Sequence, residues 1–163
     1  DDYIAITDSA LFDVIKEVSY AAWIKPNGTK SGLILNKFAS GAEDKQLTLN
    51  TTGEILFYLY NWSGSSLTST ATVTFGQWNH VVATYNGTTA TIYINGKNSG
   101  SKTASSSDIA DSTGDFYIGE NAARGGVSGD GMGGSIDDVR IYNYTLTPHQ
   151  VKTVYNNGAV NFE

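Results

Sequence analysis

The chain has no cysteine among its 163 residues, and this absence excludes several kinds of chemistry together. Disulfides, thiolate metal sites and cysteine nucleophiles all require a residue that the sequence lacks. Proline occurs only twice, and charged residues make up only 16% of the chain. No apolar run approaches the roughly 20 residues that a membrane-spanning helix needs. We therefore expect no membrane insertion.

Positive charge is also scarce. Ten lysines and arginines stand against 16 aspartates and glutamates, which gives a net charge of −6 and a pI near 4.7. Proteins that bind nucleic acid usually present a basic patch or stripe, and this sequence has none. Calcium and neutral polar ligands suit the composition better than nucleic acid or anionic membranes do.

Short segments of β-type composition, separated by glycine, asparagine and serine, dominate what is present. Asn86-Gly87 and Asn95-Gly96 predict tight hairpin turns, because both residue types tolerate positive φ angles. Many short strands at this spacing predict an all-β sandwich or barrel. The predicted strands lie near Tyr3–Thr7, Val18–Lys25, Leu33–Phe38, Gln46–Asn50, Ile55–Tyr60, Thr70–Phe75, Trp78–Tyr85, Thr89–Ile94, Asp115–Gly119 and Gly134–Tyr142.

One short helix is predicted near the C-terminus. The run Thr147–Gln150 combines an N-cap threonine, a proline in the first turn and a capping-box glutamine. Asn157-Gly158 then ends the helix. The polar stretch 98–113 and the glycine-rich stretch 122–134 are expected to be loops. The length suits one domain over residues 1–163.

Four groups of segments, in this order along the chain, resemble bacterial laminin-G-like domains of the concanavalin A-like superfamily. The resemblance implies a two-sheet antiparallel jelly-roll β-sandwich with one short C-terminal helix. It also implies a secreted or cell-surface module that binds a glycan or another surface ligand. The segments are Asp1–Ile6 with Val18–Pro26, Gly76–Gly87 with Ile92–Gly96, Phe116–Gly119, and Gly134–Leu146.

A structural calcium site is expected around Asp137. Strict alternation along the last strand places Asp137 on the same face as Val139 and Ile141, and hence towards the core or at the rim between the sheets. A buried carboxylate must be paired or must bind a metal. The resemblance implies calcium, with Asp1 or Asp2 as further ligands. The alternative is a hydrogen bond from Asp137 to loop amides, and Asp138 is expected to pair with Arg140 on the outer face.

A ligand-binding surface is expected on the segment from Glu54 to Trp62. Alternation groups three apolar residues, Ile55, Phe57 and Leu59, on a core-facing side. The opposite side then displays aromatic rings that suit stacking against a sugar. Ordinary packing under a long loop is the alternative. The predicted binding residues are Tyr58, Tyr60 and Trp62, with Tyr93, Tyr117, Arg124 and Asp130 as extensions.

Catalysis is not expected. Glycoside hydrolases of this fold place two carboxylates across one sugar bond. The sequence has no strand with glutamate and aspartate at the alternating positions that such enzymes use, and it has no Gly-x-Ser-x-Gly elbow. We therefore expect a non-catalytic carbohydrate-binding or adhesion module. A self-assembling unit of an extracellular surface or filament protein is the alternative, and a hydrolase-like enzyme is a minor one.

The termini suggest a missing strand. Domains of the resembled family usually open with one more strand before the segment that begins here at Asp1. The tail Ala159–Glu163 carries a similar apolar-Asn-Phe-acidic pattern. It is expected to fill that position within its own chain or in a neighbouring chain, the alternative being a frayed tail.

Overall fold

A computed structural model describes residues 2–28, 30–39, 42–63, 66–104, 108–119 and 131–158 of the protein. These residues form eleven strands and one helix, which confirms the predicted all-β fold with a short C-terminal helix. The elements are β1 (Tyr3–Ile6), β2 (Val18–Pro26), β3 (Gly32–Ala39), β4 (Ala42–Leu49), β5 (Glu54–Leu59), β6 (Ser66–Thr72), β7 (Asn79–Tyr85), β8 (Thr89–Ile94), β9 (Lys97–Thr103), β10 (Phe116–Gly119), β11 (Gly134–Tyr142) and α1 (Pro148–Gly158).

The strands form two sheets. One has six strands in the order β1-β10-β3-β4-β5-β6, and the other has five in the order β11-β2-β7-β8-β9. Neighbouring strands are antiparallel in both sheets. This arrangement confirms the predicted two-sheet jelly-roll sandwich.

The core lies between the inner faces of the two sheets. From the six-stranded sheet, Leu47 and Phe57 point inward, and from the five-stranded sheet Val81 and Ile92 do so; all four are fully buried. Successive residues of a strand face opposite sides, so every second residue of these strands enters the core. The predicted core face of β5 is therefore confirmed.

Helix α1 covers the outer face of the five-stranded sheet. Its predicted capping box is confirmed by two hydrogen bonds. The backbone N–H of Gln150 donates to Thr147 Oγ1 at 3.3 Å, and the backbone N–H of Thr147 donates to Gln150 Oε1 at 2.8 Å. Val151 and Val154 pack in a second apolar cluster that includes Tyr93 of β8. At eleven residues, α1 is too short to cross a membrane.

Strand β9 lies in a stretch that the sequence predicted to be a loop. A hairpin joins it to β8, with Asn95 and Gly96 at positive φ angles of 50° and 73°, as the Asn-Gly pair predicts. Its sequence, Lys-Asn-Ser-Gly-Ser-Lys-Thr, has no apolar alternation, because β9 is an edge strand with mostly exposed side chains. Backbone pairing with β8 forms it without an apolar signal.

Lys37 forms a buried cluster of ion pairs at one end of the sandwich. It shares the inner face of β3 with Leu35, and its side chain is only 1% exposed. Its ammonium group lies 3.2, 2.7 and 2.8 Å from carboxylate oxygens of Asp8, Asp13 and Asp111. Three carboxylates from two segments that flank the core therefore meet on one buried cation.

The ionisation of this cluster follows from its contacts. Burial by itself would lower the pKa of Lys37, but its hydrogen bonds to Asp111, Asp13 and Asp8 outweigh burial and raise that pKa. The hydrogen bond from Lys37 lowers the pKa of Asp13 below its ordinary 3.8. Nearby, Lys45 is also buried, and its Nζ donates to the Ala110 carbonyl at 2.7 Å. Lys37 and Asp13 are thus both charged at neutral pH.

Replacing Lys37 with alanine should destabilise the fold by about 3 kcal/mol, because it leaves three carboxylates facing one another without their cation. This value is at the lower end for a broken buried pair, since the aspartates are partly exposed and regain water. Urea unfolding measures the loss, with the exposed Lys152→Ala as the matched control. Equal stability of the two variants would contradict the role given to Lys37.

The same cluster makes stability depend on pH. Asp13 has a lowered pKa in the folded state, so its stabilisation is complete above the ordinary value of 3.8 and is lost as pH falls through the folded pKa. Below about pH 4, the free energy of unfolding of the wild type should therefore fall more steeply with decreasing pH than that of Lys37→Ala.

Candidate functional site

A row of side chains crosses the outer face of the six-stranded sheet. The strand registers place Tyr117 beside Asn36, Asn36 beside Gln46, and Gln46 beside Tyr58. Each of the four is flanked in its own strand by residues that point inward, so alternation turns it outward. We call these four residues the polar row. They span three strand spacings, about 14 Å.

The centre of the polar row holds buried polar atoms without partners. Asn36 is 0% exposed and Gln46 is 7% exposed. Both amide atoms of Asn36, the amide nitrogen of Gln46 and Oγ1 of neighbouring Thr48 make no hydrogen bond within the described part of the chain. Leaving a buried polar group unpaired costs about 1–3 kcal/mol. A row of such groups on an outer face is what a ligand with its own donors and acceptors would satisfy.

The chemistry of the row suits an uncharged, hydroxyl-rich ligand. A primary amide presents two donors and an acceptor close together, which matches the neighbouring hydroxyls of a sugar. Tyr117 and Tyr58 stand at the two ends; Tyr117 is only 7% exposed and Tyr58 is half-buried, so a sugar could stack on Tyr58 more readily than on Tyr117. Burial raises the pKa of Tyr117, so its phenol stays neutral. No member of the row is charged.

Trp62 does not belong to this surface, and the prediction that it is exposed beside Tyr58 and Tyr60 is wrong. Strand β5 ends at Leu59, and Asn61 takes a positive φ of 62°, which redirects the chain. Alternation no longer holds beyond this turn, and Trp62 enters the core at 2% exposure. Its Nε1 donates to a backbone carbonyl, that of Thr88, at 3.3 Å.

The other predicted binding residues are distributed over the molecule. Tyr58 and Tyr117 are in the polar row, and Tyr60, 46% exposed, lies just beyond the end of β5. Tyr93 is on the opposite sheet beneath α1, so the prediction that it extends the same surface is wrong. Arg124 and Asp130 lie outside the described residues.

Asp137 is exposed, and the prediction that it points into the core is wrong. A register shift interrupts the pairing of β11 with β2 between Asp137 and Arg140, and Asp138 has a positive φ of 46°. This bulge adds one residue and resets the alternation. Ile136 and Val139, three positions apart, therefore both pack against the core, and Asp137 faces out.

The calcium site expected around Asp137 stays a prediction, because one of its two candidate N-terminal ligands lies outside the described residues. Asp138 accepts two hydrogen bonds from Arg140, both at 2.8 Å, which confirms that pair. Asp2 is exposed, and Asp1 lies outside the described residues. Over the described ranges, no group of three or more histidine, aspartate or glutamate side chains is arranged to hold a metal ion. Oδ1 of Asp137 accepts a hydrogen bond from the Asp138 backbone N–H at 2.7 Å. The other carboxylate oxygen, Oδ2, is the one that Asp137 could offer to an ion.

His80 is a structural residue. It is buried on the outer face of the five-stranded sheet, with its ring 5.2 Å from that of Trp23 and 5.8 Å from that of Tyr155. Burial lowers the pKa of His80 to about 4, so it is neutral at pH 7. It lies on the sheet opposite the polar row and plays no part in that surface.

Trp62→Ala should act on stability and not on ligand binding. Removing a fully buried tryptophan leaves a large cavity and should cost about 3–5 kcal/mol in free energy of unfolding. Urea denaturation measures this loss, and Tyr60→Ala, which truncates an exposed ring two residues earlier, is the control with little expected change. A Trp62→Ala variant as stable as the wild type would show that the ring is not part of the core.

Solved structures similar to this one include lectin-like and carbohydrate-binding domains. A candidate carbohydrate-binding protein from Bacteroides ovatus superposes with a TM-score of 0.71 at 20% identity, over 92% of this chain and 43% of its own. Domain 4 of AbnA, a GH43 extracellular arabinanase from Geobacillus stearothermophilus, was solved in complex with arabinotriose. This domain superposes with a TM-score of 0.68 at 22% identity, over 94% of this chain and 72% of its own.

A third similar structure is the heptameric SAP-like pentraxin from Limulus polyphemus, with a TM-score of 0.68 at 19% identity over 94% of this chain and 81% of its own. At these identities the likeness shows the fold alone. The chain spans less than half the length of the Bacteroides protein.

No curated protein matches the sequence. A family model does match, over residues 1–152, and it describes the concanavalin A-like lectin/glucanases superfamily. The match covers all eleven strands, including the polar row, and it confirms the resemblance drawn from the sequence segments. The chain therefore belongs to the concanavalin A-like lectin/glucanases superfamily, in its laminin-G-like branch.

Proposed function

We propose that this chain is a non-catalytic carbohydrate-binding module of a secreted or cell-surface protein, and that it binds a neutral glycan across the polar row. The observation that supports this most directly is Asn36, whose buried amide has neither its donor nor its acceptor satisfied within the described residues. Because Asn36 is 0% exposed, a glycan would supply both only by displacing what covers this side chain when it binds. Stacking against Tyr58 and Tyr117 would add apolar contact at the ends.

The similar structures support this proposal by analogy of fold. The arabinanase domain was solved with a short arabinose oligosaccharide, and the Bacteroides protein is described as a candidate carbohydrate-binding protein. Both share the sandwich on which the polar row is built. The three strand spacings of the row, about 14 Å, accommodate a ligand of two or three sugar units.

The composition of the row favours binding without hydrolysis. Glycosidic bond cleavage generally uses two carboxylates placed on either side of the bond. The polar row consists of two amides and two phenols, and none of these can serve as the carboxylate pair. The proposed site therefore holds a sugar without the groups that would cleave it.

Glycan binding should depend on Asn36 and Tyr58. The full chain is screened against a panel of neutral arabino-, xylo-, gluco- and manno-oligosaccharides, and the best ligand is measured by calorimetry. Asn36→Leu should abolish binding and leave the melting temperature equal or higher, because it removes unpaired buried polar atoms. Tyr58→Ala should weaken binding about 3- to 10-fold through loss of stacking.

The control for this experiment is Tyr144→Ala, which removes an exposed ring beside Tyr142, away from the row. It should bind as the wild type does. Binding that survives Asn36→Leu, or that is lost in Tyr144→Ala alone, would place the ligand elsewhere. No binding across the panel would count against a neutral glycan.

A structural calcium, held in part by Asp137 and by Asp1 or Asp2, remains a separate proposal. An ion that binds only the folded state raises stability by mass action. The melting temperature should therefore be higher in calcium than in chelator for the wild type, and this difference should vanish in Asp137→Asn. Identical melts, with no metal found by elemental analysis, would contradict it.

A further inference from the structure

The two open sides of the sandwich are built differently. On one side β6 and β9 are joined across the sheets: the Ala71 amide donates to Ser99 Oγ at 2.9 Å, and Lys102 Nζ donates to the Ser66 carbonyl at 3.2 Å. On the other side β1 and β11 each have a single partner strand among the described residues. Between them a cavity of about 360 Å³ opens to solvent.

The cavity has an apolar lining that belongs to the inner faces of the sheets. Ile4 pairs with Ile118 across β1 and β10, and both lie in the register of the core-facing positions. Ile136 of β11 and Met132 add to the apolar part of the lining; the lining also includes Asp2, Tyr3, Lys30 and several glycines. Yet Ile4 is 58% exposed, although its inner-face neighbours Ile118 and Ile136 pack against the core. The core is thus incomplete at this side.

The edge of β11 can accept only a short strand here. No strand of the described part of the chain pairs with its outward edge over residues 134–137, next to the cavity. Beyond Asp137 the bulge and the Asp138–Arg140 ion pair interrupt the edge, two features that discourage strand addition. We call the cavity and this half of the β11 edge the edge slot. It fits four or five residues with apolar side chains at alternate positions.

We propose that residues 159–163 of a second copy of this chain fill the edge slot. Their sequence, Ala-Val-Asn-Phe-Glu, lies outside the described residues and places Val160 and Phe162 at alternate positions. Two such side chains suit the apolar lining. The slot is lined by Lys30, whose charge complements Glu163, and by Asp2, whose charge has the same sign as Glu163.

The position of α1 favours a second copy over the same chain. Tyr155, in the last turn, lies against Trp23 of β2 and against Gly96 after β8. From there the slot lies at least two strand spacings away and one layer down, about 10 Å in each direction. Five extended residues span at most about 17 Å. A tail that covers this path in its own chain has little length left for pairing with β11.

Cysteine crosslinking tests the proposal cleanly, because the chain has no cysteine of its own. Full-length Ile136→Cys and Phe162→Cys are mixed under mild oxidation, and linked peptides are identified by mass spectrometry. We expect a mixed disulfide between positions 136 and 162 of different chains. Asn161→Cys, whose side chain would face away by alternation, should link at least several-fold less.

Two further measurements complete the test. Light scattering should show the wild type self-associating with concentration, and Phe162→Asp should remain a monomer with the melting temperature of the monomer unchanged. If Ile136→Cys does not fold, Ile4→Cys takes its place, since that side chain is largely exposed. A chain that carries both Ile136→Cys and Phe162→Cys should also link to other chains. A disulfide that forms only within this doubly substituted chain, or no disulfide above the Asn161→Cys control, overturns the proposal.

Discussion

The whole structure depends on the contact between the inner faces of two antiparallel sheets. Each leucine, isoleucine or phenylalanine buried there contributes about 1.5–3 kcal/mol. Burying Leu47 and Phe57 against Val81 and Ile92 fixes which residues of each strand point in, and alternation then fixes which point out. The polar row exists on the outer face because its neighbours in the same strands are committed to the core.

Where alternation along a strand holds, the sequence predicts correctly which side chains face the core. Where a backbone irregularity interrupts the alternation, this prediction fails. The core face of β5, the two Asn-Gly hairpins and the capping box at Thr147 follow from local patterns, and the structure has all of them. Trp62 and Asp137 were misplaced for one reason. A positive φ at Asn61 and a bulge at Asp138 each shift the alternation, and neither asparagine nor aspartate signals such a shift by itself.

The sequence did not indicate the two amides of the polar row, and the reason is the opposite one. Asn36 and Gln46 occupy ordinary outward positions in predicted strands, where polar residues are expected to meet solvent. Only the folded structure shows that they are buried and that their amides lack partners. Lys37 provides the contrast, because this buried cation meets three carboxylates. The fold can thus satisfy a buried charge, but it also leaves buried polar atoms unpaired outside the polar row, at Trp23 Nε1 and His80 Nδ1 on the opposite sheet.

The edge slot and the polar row meet at one aromatic contact. Tyr3 lines the slot, and its ring lies 6.2 Å from that of Tyr117, the end member of the row. A strand added beside β11 would restrict Tyr3, and a sugar stacked on Tyr117 would act on the same pair of rings. If each event changes the other, thermodynamic linkage requires that both change by the same factor. A module that assembles through its edge would then bind glycan with an affinity that depends on assembly, and glycan would shift assembly to an equal extent.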